Sequence, residues 1–334
     1  MDRFGQVEMS GAENMMEKLL DVKDLRVSFY GDKGSVQVVR GFDISLHKGE
    51  VVGILGESGS GKTVSSSSII KLVDESLGRI DSGEAIFKDK DLLKLSGKEL
   101  KGIRGNEISY VFQNSSAALS PYKRIGKQLG EVLKTHGLPD SKDHILKTLE
   151  EVGLEDGERI FHMYPFQLSG GQNQRIMIAQ CILCSPELLI ADEPTSSIDA
   201  SLQKTILDLL RDISTRNQMS VIIITHDFGV AKYLCDRLMV MYGGLVLEEG
   251  AIDEILNSPL HPYTQELMRC ARSLAEDDET MYTIEGAPPT PYQFRDECPF
   301  YSRCSLREDA CREGIPERTD IDGRKVRCIK YEKR

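Results

Sequence analysis

The hydrophobic pattern of the chain is built on short apolar runs, each ending in a polar or glycine-rich turn. Four of these runs are VVGIL (51–55), ISYVF (108–112), ELLIA (187–191) and SVIIIT (220–225). Continuous apolar runs of this length are typical of strands that are buried on both faces, and helical segments alternate with them here. The pattern therefore predicts an α/β fold with a parallel sheet at its core.

Other segments differ from these runs in their pattern. The stretch 1–18 is polar and predicts a flexible tail, and two β-like stretches follow at Asp21–Tyr30 and Gln37–Leu46. Helical periodicity dominates from about Ser115 to Tyr164 and is clearest in DHILKTLEEVGL (143–154). Because this stretch interrupts the strand-forming runs, it predicts an inserted helical subdomain.

After about Gly250 the chain becomes rich in proline, tyrosine, cysteine and charge, which predicts a linker and a small irregular module. No stretch approaches the roughly 20 apolar residues that a membrane-crossing helix needs, and the N-terminus lacks the apolar core of a secretory signal. The net charge of −11, from 42 Lys and Arg against 53 Asp and Glu, weighs against a nucleic-acid partner. We therefore expect a cytosolic chain.

The first apolar run leads into the phosphate-loop pattern G-x-x-x-x-G-K-[ST], between a predicted strand and a predicted helix. The pattern comprises Gly56, Glu57, Ser58, Gly59, Ser60, Gly61, Lys62 and Thr63. Its glycines let backbone N–H groups converge on phosphates at the positive end of the helix. We expect Lys62 to bridge the β- and γ-phosphates of ATP and Thr63 to hold Mg²⁺.

Polar residues also follow the other three runs. Asp192 and Glu193 follow the third, and Gln113 and His226 follow the second and the fourth. Since ligands bind at the carboxyl ends of parallel strands, these side chains are expected to share a crevice with Lys62. Asp192 would orient the Mg²⁺ shell and Glu193 would polarise the attacking water; Gln113 would reach the metal or that water, and His226 the γ-phosphate.

A second backbone-donor cradle does not follow a strand. Ser169, Gly170, Gly171 and Gln172 precede the apolar helix RIMIAQCIL, so their N–H groups could bind an anion. Because this cradle cannot easily reach the first one within one chain, we expect it to serve a neighbouring subunit.

GESGSGKT, the Gln after ISYVF, LSGGQ, LLIADEPTSSID and IITHD, in this order and spacing, resemble the ATPase domain of the ABC superfamily. The resemblance covers about residues 20–255 and implies a domain at 19–255. That domain has a phosphate-loop parallel-sheet core, an antiparallel β subdomain and a helical insert at about 114–175. It also implies a head-to-tail dimer, with each ATP held between the phosphate loop of one subunit and the LSGGQ of the other.

The resemblance also implies residue roles. Glu193 becomes the general base, Asp192 the magnesium carboxylate and His226 the switch histidine. Gln113 becomes a metal ligand at the head of a loop that senses the transporter, and Asp199 matches a turn that crosses the dimer.

Phe29 falls at the position of the aromatic residue that stacks on adenine, with Tyr30 as the fallback. The alternative for Phe29 is a plain core aromatic residue.

The tail, at 256–334, narrows the resemblance. HPYTQEL, a proline-rich link and four cysteines resemble the C-terminal extension of ATPase subunits in the peptide and nickel import branch. The cysteines are Cys298, Cys304, Cys311 and Cys328, separated by five, six and sixteen residues. Four thiolates suit zinc or an iron–sulfur cluster, and the resemblance implies a 4Fe–4S cluster. Zinc, and thiols without metal, are the alternatives.

The expected function is the ATP-hydrolysing subunit of an importer for oligopeptides or dipeptides, peripheral on the cytoplasmic face of the membrane. Its expected partners are a second ABC ATPase subunit, identical or not, two transmembrane permease subunits and, indirectly, an extracytoplasmic solute-binding protein. The segment Asn114–Gly126 would form much of the docking surface for the permeases.

Several alternatives stay open. The chain could power a nickel or metal-chelate importer of the same branch, or be a soluble ABC machine outside transport, and its tail could act as a redox sensor. A single cassette with a short insert between Gln113 and Leu168 favours the transporter.

Overall fold

The computed structural model describes residues 17–31, 34–113, 118–196, 200–275 and 282–332. Their strands are β1 (Lys18–Gly31), β2 (Gly34–His47), β3 (Val51–Leu55), β4 (Gly78–Phe87), β5 (Lys90–Asp91), β6 (Ile108–Val111), β7 (Leu188–Asp192), β8 (Ser220–Thr225), β9 (Arg237–Tyr242), β10 (Leu245–Ala251), β11 (Thr319–Ile321) and β12 (Arg324–Val326). β1 thus begins at Lys18, the last residue of the predicted tail.

The helices alternate with the central strands. They are α1 (Lys62–Ile69), α2 (Gly97–Ile103), α3 (Ile125–Thr135), α4 (Lys142–Glu151), α5 (Gly157–His162), α6 (Gly170–Ile182), α7 (Ala200–Asn217), α8 (Phe228–Leu234), α9 (Ile252–Asn257) and α10 (Pro262–Ala275). No helix among the described residues is both long and apolar enough to cross a membrane.

The larger sheet has the strand order β11-β12-β10-β9-β3-β8-β7-β6. Its centre is parallel from β9 to β6, and β10 and β12 pair antiparallel at one side. Alternate residues of β8 enter different cores: Ile222 and Ile224 pack towards the second sheet, while Val221 and Ile223 pack beneath helices. Burial on both faces explains the continuous apolar run, and the predicted parallel core is confirmed.

The second sheet is antiparallel, with the order β2-β1-β4-β5. Its apolar face and helix α1 cover one side of the parallel sheet through residues such as Phe42, Phe87 and Ile69, all fully buried. This is the antiparallel subdomain that the family resemblance implied.

Helices α3, α4 and α5 occupy the stretch that the periodicity predicts as a helical insert. α4 begins at Lys142, where the Ser141 hydroxyl accepts a hydrogen bond from the His144 N–H at 3.2 Å. Ile145 and Leu149 are buried on one face of this helix, four residues apart. The apolar spacing in the sequence thus corresponds to the buried face of a helix.

The tail is continuous with the rest of the fold. β12 pairs with β10 and so extends the main sheet, and Phe300 is fully buried against Tyr242 and Tyr263. Between these points the tail contains short 3₁₀ turns, such as Tyr301–Arg303. An irregular segment of this kind gains its apolar core from the larger domain.

Candidate ATP-hydrolysis site

The phosphate loop joins β3 to α1, and two of its glycines meet steric requirements. Gly61 precedes the helix with a φ of 101°, a backbone conformation that side chains with a Cβ rarely adopt. A Cβ on Gly56 would lie 2.1 Å from the carbonyl oxygen of Met241. The end of β9 therefore packs directly on the loop and fixes its path.

Lys62 lies at the centre of the loop. Its Nζ donates hydrogen bonds to the carbonyl oxygens of Gly56, at 2.7 Å, and Glu57, at 3.0 Å. Burial lowers the pKa of Lys62, and the nearby carboxylates of Glu193, Asp192 and Glu57 oppose that shift. The loop thus holds a buried ammonium group among carboxylates.

Thr63 and Asp192 are brought together at the end of β7. The Thr63 hydroxyl donates to Asp192 Oδ1 at 3.1 Å, and the Tyr110 hydroxyl donates to Asp192 Oδ2 at 3.1 Å. Burial raises the pKa of Asp192, while these two hydrogen bonds oppose the rise. Hydroxyl and carboxylate oxygens are the donors that Mg²⁺ prefers, so the pair fits the ion.

Glu193 lies one residue beyond β7 in a strained backbone conformation, with a φ of 45°. Its N–H donates to the carbonyl oxygen of Ile224 at 2.9 Å. Gln113 Nε2 donates to one carboxylate oxygen at 2.8 Å, and His226 Nδ1 lies 3.2 Å from the other. Four polar residues predicted at the sheet edge, Lys62 included, therefore occupy one crevice.

The second cradle forms the beginning of α6. The Ser169 hydroxyl accepts from the Gln172 N–H at 3.2 Å, and Gln172 Oε1 accepts from the Ser169 N–H at 3.0 Å. Gly170 is exposed and Gly171 is half-buried. The Gln174 amide donates to the Pro194 carbonyl at 2.6 Å, which ties this helix to the segment that follows Glu193.

Phe29, the residue predicted to stack on adenine, lies in the antiparallel sheet. It is half-buried on β1 and packs against the core of the antiparallel sheet, with its ring close to Gly78. Its neighbour Tyr30 is exposed. Adenine stacking by Phe29 stays a prediction, and Asp199 lies outside the described residues.

The four tail cysteines line one small cavity of about 20 Å³. Cys298, Cys304 and Cys328 are buried and Cys311 is half-buried, and all four are free thiols. Burial raises the pKa of Cys298 to about 12. In the described part of the chain, no group of three or more His, Cys, Asp or Glu side chains is arranged to hold a metal ion. The donor set fits a sulfur-ligated group in its chemistry, and ligation stays a prediction.

Three residues in contact with the ATP-hydrolysis site were not predicted from the sequence. Tyr110 binds Asp192, the Tyr263 hydroxyl accepts from the Glu57 N–H at 3.0 Å, and Arg303 forms an ion pair with the Glu57 side chain. The one available signal was a tyrosine inside an otherwise apolar run, at Tyr110.

The fold and the crevice define an ATP-binding cassette, and comparison with known protein families and structures gives the same class. Residues 39–196 match a family model described as "ABC transporter", and 247–311 match "Oligopeptide/dipeptide transporter, C-terminal region". The dimeric post-hydrolysis structure of the ATP-binding cassette MJ0796 bound to ADP and Pi is similar, with a TM-score of 0.61 and 26% identity. The match covers 70% of this chain and 98% of the MJ0796 chain.

Curated relatives specify the branch. The dipeptide transport ATP-binding protein DppD of Bacillus subtilis (strain 168) is 42% identical over 94% of this chain and 95% of its own length. The oligopeptide transport ATP-binding protein OppD of Escherichia coli (strain K12) is 38% identical over 96% and 95%. The chain belongs to this family of ABC transporter ATP-binding proteins and is an ATPase of the ABC type.

Proposed function

We propose that this chain hydrolyses ATP to drive the import of dipeptides or oligopeptides. The observation that carries the catalytic part is the Glu193 carboxylate, held between Gln113 and His226 at the sheet edge beside Lys62. The peptide part is supported by the C-terminal family match and by relatives named for dipeptide and oligopeptide transport.

In the proposed reaction, the N–H groups of the phosphate loop and the Lys62 ammonium bind the β- and γ-phosphates. Thr63, Asp192 and Gln113 would hold Mg²⁺, which supplies charge neutralisation on the phosphate oxygens when bound. Glu193, both of whose oxygens are already oriented, accepts a proton from water as the water oxygen attacks the γ-phosphorus. The bond from the γ-phosphorus to the bridging oxygen breaks, and ADP and phosphate leave. His226 orients Glu193 and reaches the γ-phosphate.

A second cassette completes the proposed site. Ser169, Gly170, Gly171 and Gln172 lie at the beginning of α6, at a surface that includes exposed backbone. The N–H groups of Ser169 and Gln172 take part in the cap, and those of Gly170 and Gly171 would meet a phosphate bound to a neighbouring subunit. The connection from Gln174 to Pro194 would transmit that contact to the segment beside Glu193. Asp199 would cross the same interface.

We also propose two permease subunits as partners, with the segment Asn114–Gly126, directly after Gln113, forming much of the docking surface. A cleft of about 500 Å³ lies there between β6 and the helical insert, and Phe112, Ser120 and Lys123 are among its lining residues. Tyr122, in the segment predicted to dock, exposes 90% of its surface. An exposed aromatic residue beside a cleft suits a partner helix, and such docking would hold the chain at the cytoplasmic face of the membrane.

The four tail cysteines are proposed to hold a 4Fe–4S cluster. Support comes from their convergence on one cavity and from a donor set made only of sulfur. Chain purified without oxygen should contain about four irons and four sulfides, and Cys328→Ser should lower both. A finding of zinc alone, or of no metal, would contradict the cluster and would leave the assignment of the chain as an ATPase unchanged.

Uptake by cells tests the transported solute. A strain lacking this chain should lose uptake of a labelled dipeptide or pentapeptide, and the wild-type chain should restore it whereas Glu193→Gln should not. Nickel uptake in the same strains is the matched comparison. Loss of nickel uptake with normal peptide uptake would assign the chain to metal import, and loss of neither would indicate a role outside transport of these solutes.

A further inference from the structure

Glu57 places a carboxylate in the loop that is proposed to receive a triphosphate. Like charges repel strongly where protein excludes water, so this residue opposes anion binding unless its charge is compensated. Burial lowers the pKa of Lys62, and Glu57 is one of the three carboxylates, with Glu193 and Asp192, that oppose this shift. The compensating charge comes from the tail.

Arg303 binds the Glu57 carboxylate through two parallel hydrogen bonds, from Nη1 at 2.7 Å and from Nη2 at 3.1 Å. The Arg303 side chain is only 4% exposed. Its remaining donors reach the Tyr242 hydroxyl at 3.1 Å and the carbonyl oxygens of Glu285 and Ile284 at 3.0 and 3.3 Å. The guanidinium group is therefore fixed in position, which favours a bidentate pair.

The backbone of Glu57 is held by the tail as well. The fully buried Tyr263 accepts the Glu57 N–H at 3.0 Å, and the ring of Phe300 packs against Tyr263 with centroids 5.2 Å apart. Phe300 and Arg303 belong to the segment between Cys298 and Cys304. One tail segment thus contacts the second residue of the phosphate loop at its side chain and, through Tyr263, supports its backbone.

We propose that Arg303 is a positioning residue for ATP binding, supplied by the tail, which neutralises Glu57 and holds the phosphate loop open to the nucleotide. The inference rests on the proposed role of the phosphate loop. It makes nucleotide affinity depend on the segment that also carries two of the four cavity cysteines.

If Arg303 only attached the tail to the cassette, its replacement should not weaken nucleotide binding. Arg318 is a suitable comparison because it is also a largely buried tail arginine that pairs with the cassette, at Asp43 and Glu249. Neither of these carboxylates belongs to the phosphate loop. Loss of Arg318 removes a tail-to-cassette ion pair without leaving a bare carboxylate beside the phosphates.

The experiment measures the dissociation constant of a fluorescent ATP analogue with Mg²⁺ on the purified full-length chain. The variants are Arg303→Met, Arg303→Lys, Arg318→Met and the double variant Arg303→Met/Glu57→Gln. Arg303→Met should weaken affinity about tenfold, because the uncompensated Glu57 carboxylate would then repel the phosphates. Arg303→Lys should fall between it and the wild type, and Arg318→Met should bind like the wild type.

The double variant is decisive. If the uncompensated carboxylate is the cause, adding Glu57→Gln to Arg303→Met should recover most of the affinity. Equal weakness in the double and single variants, or an unchanged constant in Arg303→Met, would overturn the proposal. Thermal unfolding of each variant identifies any that fail to fold.

Lys62→Ala separates this inference from the function on which it depends. Loss of binding in Lys62→Ala with normal binding in Arg303→Met would refute only the role of Arg303. Normal binding in Lys62→Ala would instead refute the phosphate-loop assignment itself.

Discussion

Replacing Glu193 by glutamine tests the proposed chemistry most directly, because the two side chains have the same shape. In the structure, one Glu193 oxygen accepts from Gln113 at 2.8 Å and the other lies 3.2 Å from His226 Nδ1. A glutamine can keep both contacts, since its oxygen can accept from Gln113 and its amide can donate to His226 Nδ1. The change therefore removes the proton acceptor while the crevice keeps its geometry.

The expected loss follows from general-base catalysis, which contributes about 10²–10⁴ to a rate. This corresponds to about 2.7–5.4 kcal/mol in the activation barrier. ATP binding should be retained, because Glu193 makes no hydrogen bond to the phosphate loop in the described part of the chain and the change removes a negative charge near Lys62. Closed dimers with trapped ATP should accumulate.

The assay is steady-state phosphate release, together with the dissociation constant of ATP on the same preparation. Glu187→Gln is the matched control, because Glu187 lies immediately before the opposite end of β7 and pairs with Lys88. It should hydrolyse ATP at the wild-type rate. Turnover of Glu193→Gln within about threefold of the wild type, a barrier change below about 0.7 kcal/mol, would refute Glu193 as the base.

Two further predictions concern pH. Tyr110→Phe removes a hydrogen bond that opposes the burial-driven rise in the pKa of Asp192, so the acidic limb of the Mg²⁺-dependent ATPase profile should move to higher pH; an unmoved limb would contradict this link. Burial lowers the pKa of His261 to about 3, whereas the same ring in the unfolded chain is protonated below about pH 6.5. Because the folded chain keeps the ring neutral, its stability should fall as the pH falls from about 6.5 towards 3. His261→Asn can keep an acceptor for the Tyr263 N–H, and it should lose less stability than the wild type between about pH 7.5 and about pH 5 in denaturant titrations; equal losses would show that other groups dominate.

The sequence alone determined the central strands. The predicted runs at 51–55 and 220–225 coincide with β3 and β8, because a strand buried on both faces presents mostly apolar side chains to both cores. It also determined the crevice in outline, since parallel strands place their carboxyl ends at one edge and thereby bring Gln113, Glu193 and His226 together. Local pattern and a simple topological rule were sufficient for these features.

Only the tertiary structure decided how the tail meets the cassette. The tail was predicted as an appended irregular module, yet β12 extends the main sheet and Arg303 reaches Glu57 across 246 positions of sequence. Hydrophobic periodicity reports whether a residue is buried, and it carries no information on which distant residue lies beside it. That choice depends on how the elements pack, so the partners of Glu57 emerge only when the chain is folded.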